Sequence, residues 1–354
     1  MENTPHVHLV DISREKSRHV IIAAGTPDVY QGHPHTLLMP DGRTIFCVWT
    51  YNHGGACGPM KRSDDGGLSW SELLPVPENW STVINCPTIH RLTDPDGRAR
   101  LLVFAGNGDM YQSVSEDDGA TFSPMAPNGL KCVVAPMSVL SAGSTGAYHM
   151  WYHRGRAGKS ERHDKSDVGV YQSTSYDGGV TWPDTKLVCE VKGAVPCEPT
   201  VVESPDESTL VLLIRENTRT MNSLTAVSRD RGATWTEPVE LPAELTGDRH
   251  CAAYAPDGRL VVVMRDMAAE SPTKGSFVGW VGSFDDLPTG GVGQYRLKLL
   301  HQYGERSSDC GYPGLEILPD GTFVATTYVK YEPGPEQNSV VAVRFRLDEL
   351  DDRL

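Results

Sequence analysis

The sequence predicts an all-β fold, a six-bladed β-propeller, from three observations. A box of the form Ser-x-Asp-x-Gly-x-Thr/Ser-Trp/Phe occurs four times, beginning at residues 63, 115, 175 and 228. Apolar, β-branched-rich runs follow turn signals six times, with an average spacing of about 56 residues. The 35 glycines and 25 prolines favour many turns over long helices. Repeats of this length, each with several short strands, are typical of propeller blades.

Each repeat can be divided into four strands, and the box fits the turn between the third and the fourth. Its Asp can accept backbone N–H groups, its Gly permits positive φ, and its aromatic residue can pack between sheets. We therefore predict that the boxes stabilise outer turns. Calcium binding is the functional alternative, but one Asp per box supplies too few oxygen ligands.

Both ends of the chain are expected to close the ring. The N-terminal runs "HVHLVDI" and "HVIIAAG" and the C-terminal run "SVVAVRFRL" are predicted to share the sixth blade, which would remove exposed sheet edges. No linker or low-complexity segment interrupts the repeats, so residues 1–354 are predicted to form one propeller domain.

Composition restricts the partners and the location of the protein. The net charge of −14 argues against a nucleic acid or an anionic membrane as partner, and no run approaches the roughly 18 apolar residues of a membrane span. A cytoplasmic location is expected because no signal peptide is visible, or a secreted or periplasmic one if a signal was removed. The eight cysteines lack metal-ligand spacing and are expected to be buried free thiols. We expect no cofactor, and the sequence predicts no particular oligomeric state.

The first strand of each blade should lie nearest the axis, so matched residues near its start should face one mouth of the central tunnel. A proline recurs six residues before the turn proline, as at Pro34, Pro199 and Pro313, and aligns the blades. The residues before these positions form the predicted inner ring: His33, Cys86, Ala135, Glu198, Arg249 and Tyr312.

The ends of the second strands give a second predicted ring: Trp49, Ala105, Tyr152 or His153, Arg215, Arg265 and Tyr328. The fold itself does not require charged groups at matched inner positions, so the two rings predict a functional site. Two guanidinium groups facing one cavity, from Arg215 and Arg265, would bind a carboxylate or sulfate. Ordinary salt bridges to Asp266 and Glu216 are the structural alternative.

Glu198 and Tyr312 are the candidate acid–base pair of this site. A tyrosine hydroxyl is a weak nucleophile near neutral pH until a neighbouring carboxylate takes its proton. A carboxylate and a hydroxyl at matched inner positions of two blades would supply such a pair.

The boxes and the strings "CEPTVVESPDESTLVLLIREN", "GRLVVVMRD" and "DCGYPGLEILPDG" resemble the sialidase (neuraminidase) superfamily of Asp-box, six-bladed propellers over essentially the whole chain. The resemblance implies a glycosidase with Tyr312 as nucleophile and Glu198 as its carboxylate partner. It also implies that Arg215 and Arg265 belong to an arginine triad that binds the sugar carboxylate. A neutral attacking group avoids repulsion from that carboxylate.

Blade one departs from the family pattern at two places. The family opens this blade with Arg-Ile-Pro, whereas this chain has Gly32-His33-Pro34 and lacks the first triad arginine, for which Arg249 is the candidate replacement. The family's acid is an Asp on the loop after the second strand, where this chain reads "TYNHGGACGPM" and offers His53. His33 and His53 are therefore predicted to act in one corner of the site. A metal held by His33, His53 and His90 is the alternative, and His35 is expected to be structural.

The segment 153–167, "HRGRAGKSERHDKSD", is long and charged. Such runs are mostly solvated surface. If it covers the tunnel mouth, Arg154, Arg156 or Lys159 would contact an anionic glycan.

The leading functional hypothesis is a sialidase-like exo-glycoside hydrolase that removes an acidic terminal sugar from a glycan. Its predicted catalytic residues are Tyr312, Glu198 and His53. Its predicted substrate contacts are Arg215, Arg265, His33, Arg249, Tyr328 and Trp49. The alternatives are a polysaccharide lyase that acts on uronic-acid glycans with a His or Tyr base and an Arg, and a non-catalytic glycan-binding propeller.

Overall fold

The structure is a computed structural model that describes residues 7–155, 168–304 and 308–354. Its strands form six sheets arranged as blades around a central axis, which confirms the predicted all-β, six-bladed propeller. The N-terminal strands are β1 (His8–Asp11) and β2 (His19–Ala23), which join the last two blades. Blades one and two are built from β3 (Gln31–Leu38), β4 (Ile45–Tyr51), β5 (Cys57–Ser63), β6 (Thr88–Thr93), β7 (Ala99–Ser115) and β8 (Ala126–Cys132).

Blades three to six follow the same order, with the first strand nearest the axis. Blade three contains β9 (Val139–Ser141), β10 (Tyr148–Gly155), β11 (Val168–Ser175) and β12 (Asp184–Cys189). Blade four contains β13 (Pro196–Glu203), β14 (Leu210–Glu216), β15 (Leu224–Ser228) and β16 (Val239–Glu240). Blade five contains β17 (Gly247–Tyr254), β18 (Leu260–Asp266), β19 (Phe277–Gly282) and β20 (Tyr295–Leu300). Blade six contains β21 (Gly311–Ile317), β22 (Phe323–Val329) and β23 (Ser339–Phe345).

Helices are short and peripheral. Among the residues that the structure describes, the α-helices are α1 (Asp286–Thr289) and α2 (Leu347–Asp351), and 3₁₀ turns span Lys16–Arg18, Glu78–Thr82 and Ala243–Leu245. In the described ranges, no helix has the length and apolar character needed to cross a membrane. The eight cysteines form no disulfide, and all but the half-buried Cys251 are buried, as the sequence predicted.

Ring closure differs from the prediction in one strand. Strand β2 pairs antiparallel with β23 and completes blade six, as expected for the run "HVIIAAG". The assignment of "HVHLVDI" to the same blade is wrong, because β1 pairs parallel with β20 on the outer edge of blade five. This position buries Val10 and Ile12 against the core shared by blades five and six. It also covers an edge strand that would otherwise expose its N–H and C=O groups.

The four Asp boxes form one hydrogen-bond pattern. In each box the Ser hydroxyl donates to the Asp at 2.8 Å, and the hydroxyl four residues after the Asp donates to its other oxygen at 2.5–2.6 Å. The box Gly N–H donates back to the Ser hydroxyl at 2.8–2.9 Å. The Asp residues are Asp65, Asp117, Asp177 and Asp230. The turn is thus held by its own side chains, and no oxygen from outside the box is needed.

The boxes also fasten each blade to the preceding one. Trp182 of blade three packs edge-on against Phe104 of blade two, with ring centroids 6.0 Å apart. Trp235 of blade four meets Trp151 of blade three in the same way at 6.2 Å. A Cβ at Gly119, where φ is +87°, would lie 2.6 Å from the Phe46 ring, so only glycine fits between these blades.

The boxes lie at the opposite end of the blades from the predicted site. Ser228, which begins the fourth box, pairs with Leu210 at the start of β14, whereas Arg215 lies at the far end of the same strand. The prediction that the boxes lie away from the tunnel mouth that holds Arg215 is therefore confirmed for this blade.

We predict that Asp177→Ala lowers the free energy of unfolding by about 1–3 kcal/mol, because it leaves backbone and hydroxyl donors without a partner. Hydrogen bonds from Thr181 and Ser175 outweigh burial and lower the pKa of Asp177. The stabilisation is therefore present above the ordinary Asp range and is lost as pH falls through the lowered folded-state value. Chemical denaturation at two pH values measures both effects.

The control is Asp64→Ala in the first box, since Asp64 is exposed and makes only a surface pair with Arg62. Its cost should stay below about 1 kcal/mol. Equal losses for the two variants would contradict the role assigned to the box Asp.

Candidate functional site

A ring of strained residues marks the mouth of the tunnel. Five of the six predicted inner-ring residues have positive φ although none is glycine: His33 (47°), Cys86 (40°), Glu198 (47°), Arg249 (50°) and Tyr312 (56°). In blades one, four, five and six these residues lie in a bulge at the same register of the first strand. Such backbone costs about 1–3 kcal/mol per residue and is concentrated at functional sites.

Tyr312 and Glu198 form the shortest contact of this ring. The Tyr312 hydroxyl donates to Glu198 Oε1 at 2.5 Å, between blades six and four. Both side chains are at least nine-tenths buried. Burial and the Glu198 charge hold the pKa of Tyr312 well above its ordinary value. Although burial raises it, the charges of Arg215 and Arg249 bring the pKa of Glu198 well below its ordinary value. The pair therefore consists of a neutral phenol and a carboxylate.

Arg215 connects this pair to a second carboxylate. Its Nη1 donates to Glu198 Oε2 at 2.9 Å and to the Tyr312 hydroxyl at 3.3 Å, and its Nη2 donates to Asn217 at 2.6 Å. Its Nε lies 3.1 Å from Oδ1 of Asp248. Arg215 thus contacts the Tyr312–Glu198 pair on one side and a buried carboxylate on the other.

Asp248 is the common partner of three arginines. Its side chain has no exposed surface. Arg219 donates to both carboxylate oxygens at 2.6 and 2.8 Å, and Arg265 donates to Oδ2 through Nε at 2.9 Å and through Nη2. Although burial raises it, the charges of Arg215 and Arg265 lower the pKa of Asp248. The cluster therefore contains an ionised carboxylate inside the protein.

Arg215 and Arg265 thus meet at one carboxylate, but it is Asp248 of the protein itself, and their contact with a ligand carboxylate stays a prediction. The structural alternative, salt bridges to Glu216 and Asp266, is wrong: Glu216 accepts the Val195 N–H, and Asp266 pairs with Arg296 at 3.1 Å. The sequence could not supply these partners, because they depend on side chains that are distant in the chain.

Arg265 also fixes the segment that leads into Tyr312. Its Nη1 donates to the backbone carbonyls of Ser308 and Cys310 at 2.6 and 2.9 Å. Together with its bonds to Asp248, four of its five N–H groups are used inside the protein. Arg265 therefore holds the backbone of the segment that precedes Tyr312.

His33 and Arg249 pack against the Tyr312 ring. The His33 ring lies 4.3 Å from it, and the Arg249 guanidinium lies over it at 4.9 Å. Arg249 is only 2% exposed and donates to Met137 Sδ at 2.9 Å and to the Ala135 carbonyl at 3.3 Å. Arg249 therefore supports the Tyr312 ring from inside the protein, and its predicted role as the replacement triad arginine stays a prediction. Burial and the neighbouring His53 and arginines hold the pKa of His33 well below its ordinary range, so the ring is neutral.

His53 lies at the rim of the same corner. Its side chain is 55% exposed, and its ring meets that of His33 edge-on at 4.5 Å. Its Nδ1 lies 3.4 Å from Oδ1 of Asp309 and 3.5 Å from the hydroxyl of Tyr30. A cavity of about 480 Å³ adjoins this side and is lined in part by Tyr30, Tyr51 and Asn52. The structure thus brings His53 and His33 together, as the sequence predicted.

Register separates the members of the second ring. In blades four, five and six, the residue before the inner-ring position pairs with the predicted second-ring residue, which is Arg215, Arg265 or Tyr328. In blade one the corresponding residue, Gly32, pairs with Thr50, so the predicted residue Trp49 lies one position before the equivalent one. Trp49 is buried in the core between blades one and six, and its N–H donates to Gln31 at 2.7 Å.

Tyr328 is fully buried beside Tyr312, with ring centroids 6.1 Å apart. In blade three, His153 is the member that reaches the site, because its Nδ1 accepts the Glu198 N–H at 3.1 Å. Burial lowers the pKa of His153 to about 4, which keeps it a neutral acceptor. Tyr152 points away and binds Ser173.

The metal alternative is not supported by the positions of its ligands. His90 lies beside His35, with ring centroids 5.2 Å apart, and its Nε2 contacts the Pro136 carbonyl at 3.3 Å. His35 accepts the Ile89 N–H at 3.2 Å, in keeping with a structural role. Within the described ranges no group of three His, Cys, Asp or Glu side chains is placed to hold a metal ion. Arg156 and Lys159, proposed as glycan contacts, lie outside the described residues, while Arg154 packs over the Tyr171 ring at 4.1 Å.

Sequence reasoning missed Asp248, Asp309, Arg219 and Tyr30. A sequence signal for Asp248 was available. It is the residue before Arg249, and this position pairs with Arg265 across the hairpin. Asp309 lies three residues before Tyr312, within the string that carried the resemblance. Arg219 and Tyr30 lie outside the strands, where no repeat pattern points to them.

We predict that Asp248→Asn lowers the free energy of unfolding by about 3 kcal/mol or more, because three buried or half-buried guanidinium groups lose their counter-charge. Denaturant unfolding measures the change, with the exposed Asp285→Asn of the same blade as control. A loss below about 1 kcal/mol for Asp248→Asn would show that the arginines find other partners.

Comparisons with known proteins agree with the fold. A family model described as a BNR repeat-like domain matches residues 147–301. No curated protein matches the sequence. A structure of a Dyadobacter fermentans protein of unknown function is 16% identical, covers 92% of this chain and 98% of its own, and has a TM-score of 0.68.

Two enzymes of known activity have the same architecture. The alpha-L-arabinanase of Penicillium chrysogenum is 16% identical over 94% of this chain and 98% of its own, with a TM-score of 0.63. The intramolecular trans-sialidase of Ruminococcus gnavus is 13% identical over 94% of this chain and 97% of its own, with a TM-score of 0.61. The chain is thus a six-bladed β-propeller with four Asp boxes, it shares this fold with both enzymes, and its residues 147–301 match the BNR repeat-like model.

Proposed function

We propose that this protein is a glycoside hydrolase that removes a terminal, carboxylate-bearing sugar from a glycan. Tyr312 acts as the nucleophile, Glu198 takes its proton, and His53 protonates the departing oxygen. The observation that carries the proposal is the 2.5 Å hydrogen bond from the Tyr312 hydroxyl to Glu198, at the mouth of a strained inner ring. The glycosidases of like fold are consistent with this class of reaction.

The electrostatics of the pair suit a nucleophile that is neutral until it attacks. Free Tyr312 keeps its proton, because burial and Glu198 raise its pKa. Glu198 is ionised and already accepts the hydroxyl, so the proton can pass to it as the Tyr312 oxygen bonds to the anomeric carbon. Arg215 contacts both groups and stabilises the negative charge whichever oxygen carries it.

The reaction then proceeds in two steps. In the first, the bond from the anomeric carbon to the departing oxygen breaks, and that oxygen takes a proton from His53. In the second, water attacks the same carbon and gives a proton to His53, while the Tyr312 oxygen leaves and recovers its proton from Glu198. Atoms and protons balance, and the chain returns to its starting state.

Local charge supports an acidic sugar. The four arginines of the site outnumber its three carboxylates, which leaves one positive charge in a chain of net charge −14. The arginines are Arg215, Arg219, Arg249 and Arg265, and the carboxylates are Glu198, Asp248 and Asp309. Arg215 and Arg265 both direct most of their N–H groups to the protein, but Arg215 is the one that donates to the Tyr312 hydroxyl, so we assign the carboxylate contact chiefly to Arg215. The arabinanase of like fold is complexed with arabinobiose, and the trans-sialidase is complexed with oseltamivir carboxylate. The fold alone therefore does not select the sugar, and we infer that the charge of the site selects it.

A polysaccharide lyase is the second candidate. The observation in its favour is the grouping of His53, His33 and Tyr312 beside Arg215, which offers a base, an acid and a partner for a uronic acid carboxylate. A lyase product contains a new carbon–carbon double bond that absorbs ultraviolet light, whereas a hydrolase product gains only a reducing end. Product absorbance therefore separates the two.

We predict that Tyr312→Phe folds normally and lowers kcat at least about a hundredfold on both an aryl glycoside and a natural glycan, because it removes the attacking oxygen and keeps the ring. Turnover and thermal unfolding of the purified variant measure the two properties. Tyr51→Phe at the rim is the control and should keep wild-type turnover. Full activity of Tyr312→Phe would rule out the proposed mechanism.

We also predict different losses for the two arginines. Arg215→Ala should weaken binding of N-acetylneuraminic or galacturonic acid about tenfold or more and leave the corresponding methyl esters little affected, because only the free acids carry the carboxylate. Arg265→Ala should weaken acid and ester alike and lower the melting temperature, because it releases Ser308, Cys310 and Asp248. Calorimetric titration gives both ratios. A selective loss in Arg265→Ala and none in Arg215→Ala would reverse the assignment.

A further inference from the structure

Asp309 brings a carboxylate from blade six to the corner of blade one. It lies in the segment before β21, three residues ahead of Tyr312, and its Oδ1 is 3.4 Å from His53 Nδ1. The loop after β4 that carries His53 contains no Asp or Glu of its own. The carboxylate absent from this loop is thus supplied by a residue nearly 260 positions away in the chain.

The Asp309 side chain is held in place before any ligand arrives. The Tyr30 hydroxyl donates to its Oδ1 at 3.0 Å. Asn338, which is buried, donates to the Asp309 backbone carbonyl at 2.9 Å and to its Oδ2 at 3.3 Å. Although burial raises it, hydrogen bonds from His53 and Tyr30 lower the pKa of Asp309, so it is ionised near neutral pH. A fixed anion therefore faces one nitrogen of His53.

Among the residues that the structure describes, the other contacts of His53 add no second anion. His33 of β3 meets the ring edge-on at 4.5 Å and is neutral, and Tyr328 of β22 lies 6.1 Å from it. The Tyr30 hydroxyl is 3.5 Å from Nδ1, and the charge of Arg265 also acts on Asp309. Because Nδ1 faces Asp309, Nε2 is the nitrogen that is left to exchange a proton with a ligand.

We infer that Asp309 is a positioning residue that makes His53 the general acid of this site, so that a His–Asp pair does the work of a single carboxylic acid. The inference rests on the proposed hydrolase reaction. In the first step Nε2 gives its proton to the departing glycosidic oxygen, and the Nδ1 proton stays on the bond to Asp309. In the second step Nε2 receives a proton from the attacking water. Asp309 keeps its charge throughout and orients the ring in both steps.

The test compares Asp309→Asn with His53→Ala and with the double variant on one natural glycan and one aryl glycoside with a good leaving group. Asn keeps the size of the side chain and an acceptor for Tyr30, so folding should survive. Asp309→Asn should lower kcat/KM on the glycan about tenfold or more and on the aryl glycoside about threefold at most, because a good leaving group scarcely needs an acid. The double variant should be no slower than His53→Ala alone.

Asp28→Asn, which removes an exposed carboxylate from the same rim, is the control and should leave the rates on both substrates unchanged. Equal slowing of both substrates by Asp309→Asn, or additive losses in the double variant, would overturn the inference, since a merely structural residue would give these results. If the wild type turns over both substrates and Tyr312→Phe abolishes turnover, any of these outcomes contradicts only the role of Asp309 and leaves the hydrolase proposal standing. If wild type turns over neither, the hydrolase proposal falls and the inference falls with it.

Discussion

The buried ion cluster around Asp248 is the interaction on which the rest of the site depends. One carboxylate with no exposed surface is shared by Arg215, Arg219 and Arg265. Moving charges out of water costs free energy, and ion pairing offsets this cost only where the geometry and the hydrogen bonding are good. Here bidentate and charge-assisted hydrogen bonds offset the cost, and the cluster fixes the positions of the arginine side chains. Arg215 is held against Glu198 and Tyr312, and Arg265 is held against the carbonyls of the segment that precedes Tyr312.

The strained inner ring follows from the same requirement. A regular first strand would alternate its side chains between the two faces of the blade. A bulge with one residue at positive φ turns a side chain toward the tunnel mouth instead, in four blades at the same register. Because bulges re-aim side chains at a modest cost in backbone energy, one repeating fold can present different chemistry from each blade. His33, Glu198, Arg249 and Tyr312 occupy equivalent positions and have different tasks.

Local sequence signals sufficed for the repeats, the boxes and the inner ring, because each depends on residues close together in the chain. The Asp box is a self-contained hydrogen-bond unit, and the ring residues are fixed by their distance from a hairpin turn. Partner choice is not local. Whether Arg265 meets a ligand, Asp266 or Asp248 depends on side-chain packing across a bulge, and the Asp309–His53 contact joins blades six and one. For the same reason Trp49 was placed one residue out of register, and β1 was assigned to the wrong blade.

The closure of blade six has a consequence for how the molecule is made. Strand β2 is synthesised before blades one to five and its partner β23 after them, with more than 300 residues between the two strands. The blades in between can pair their own strands as they emerge, because each is a local meander, but the ring cannot close until β23 has been made. Through that interval the edge of β2 lacks its partner and is a target for mispairing with other nascent chains. The pairing that closes the ring also brings Tyr312 to Glu198 and Asp309 to His53, so the side chains of the mouth come together only when β2 and β23 have met.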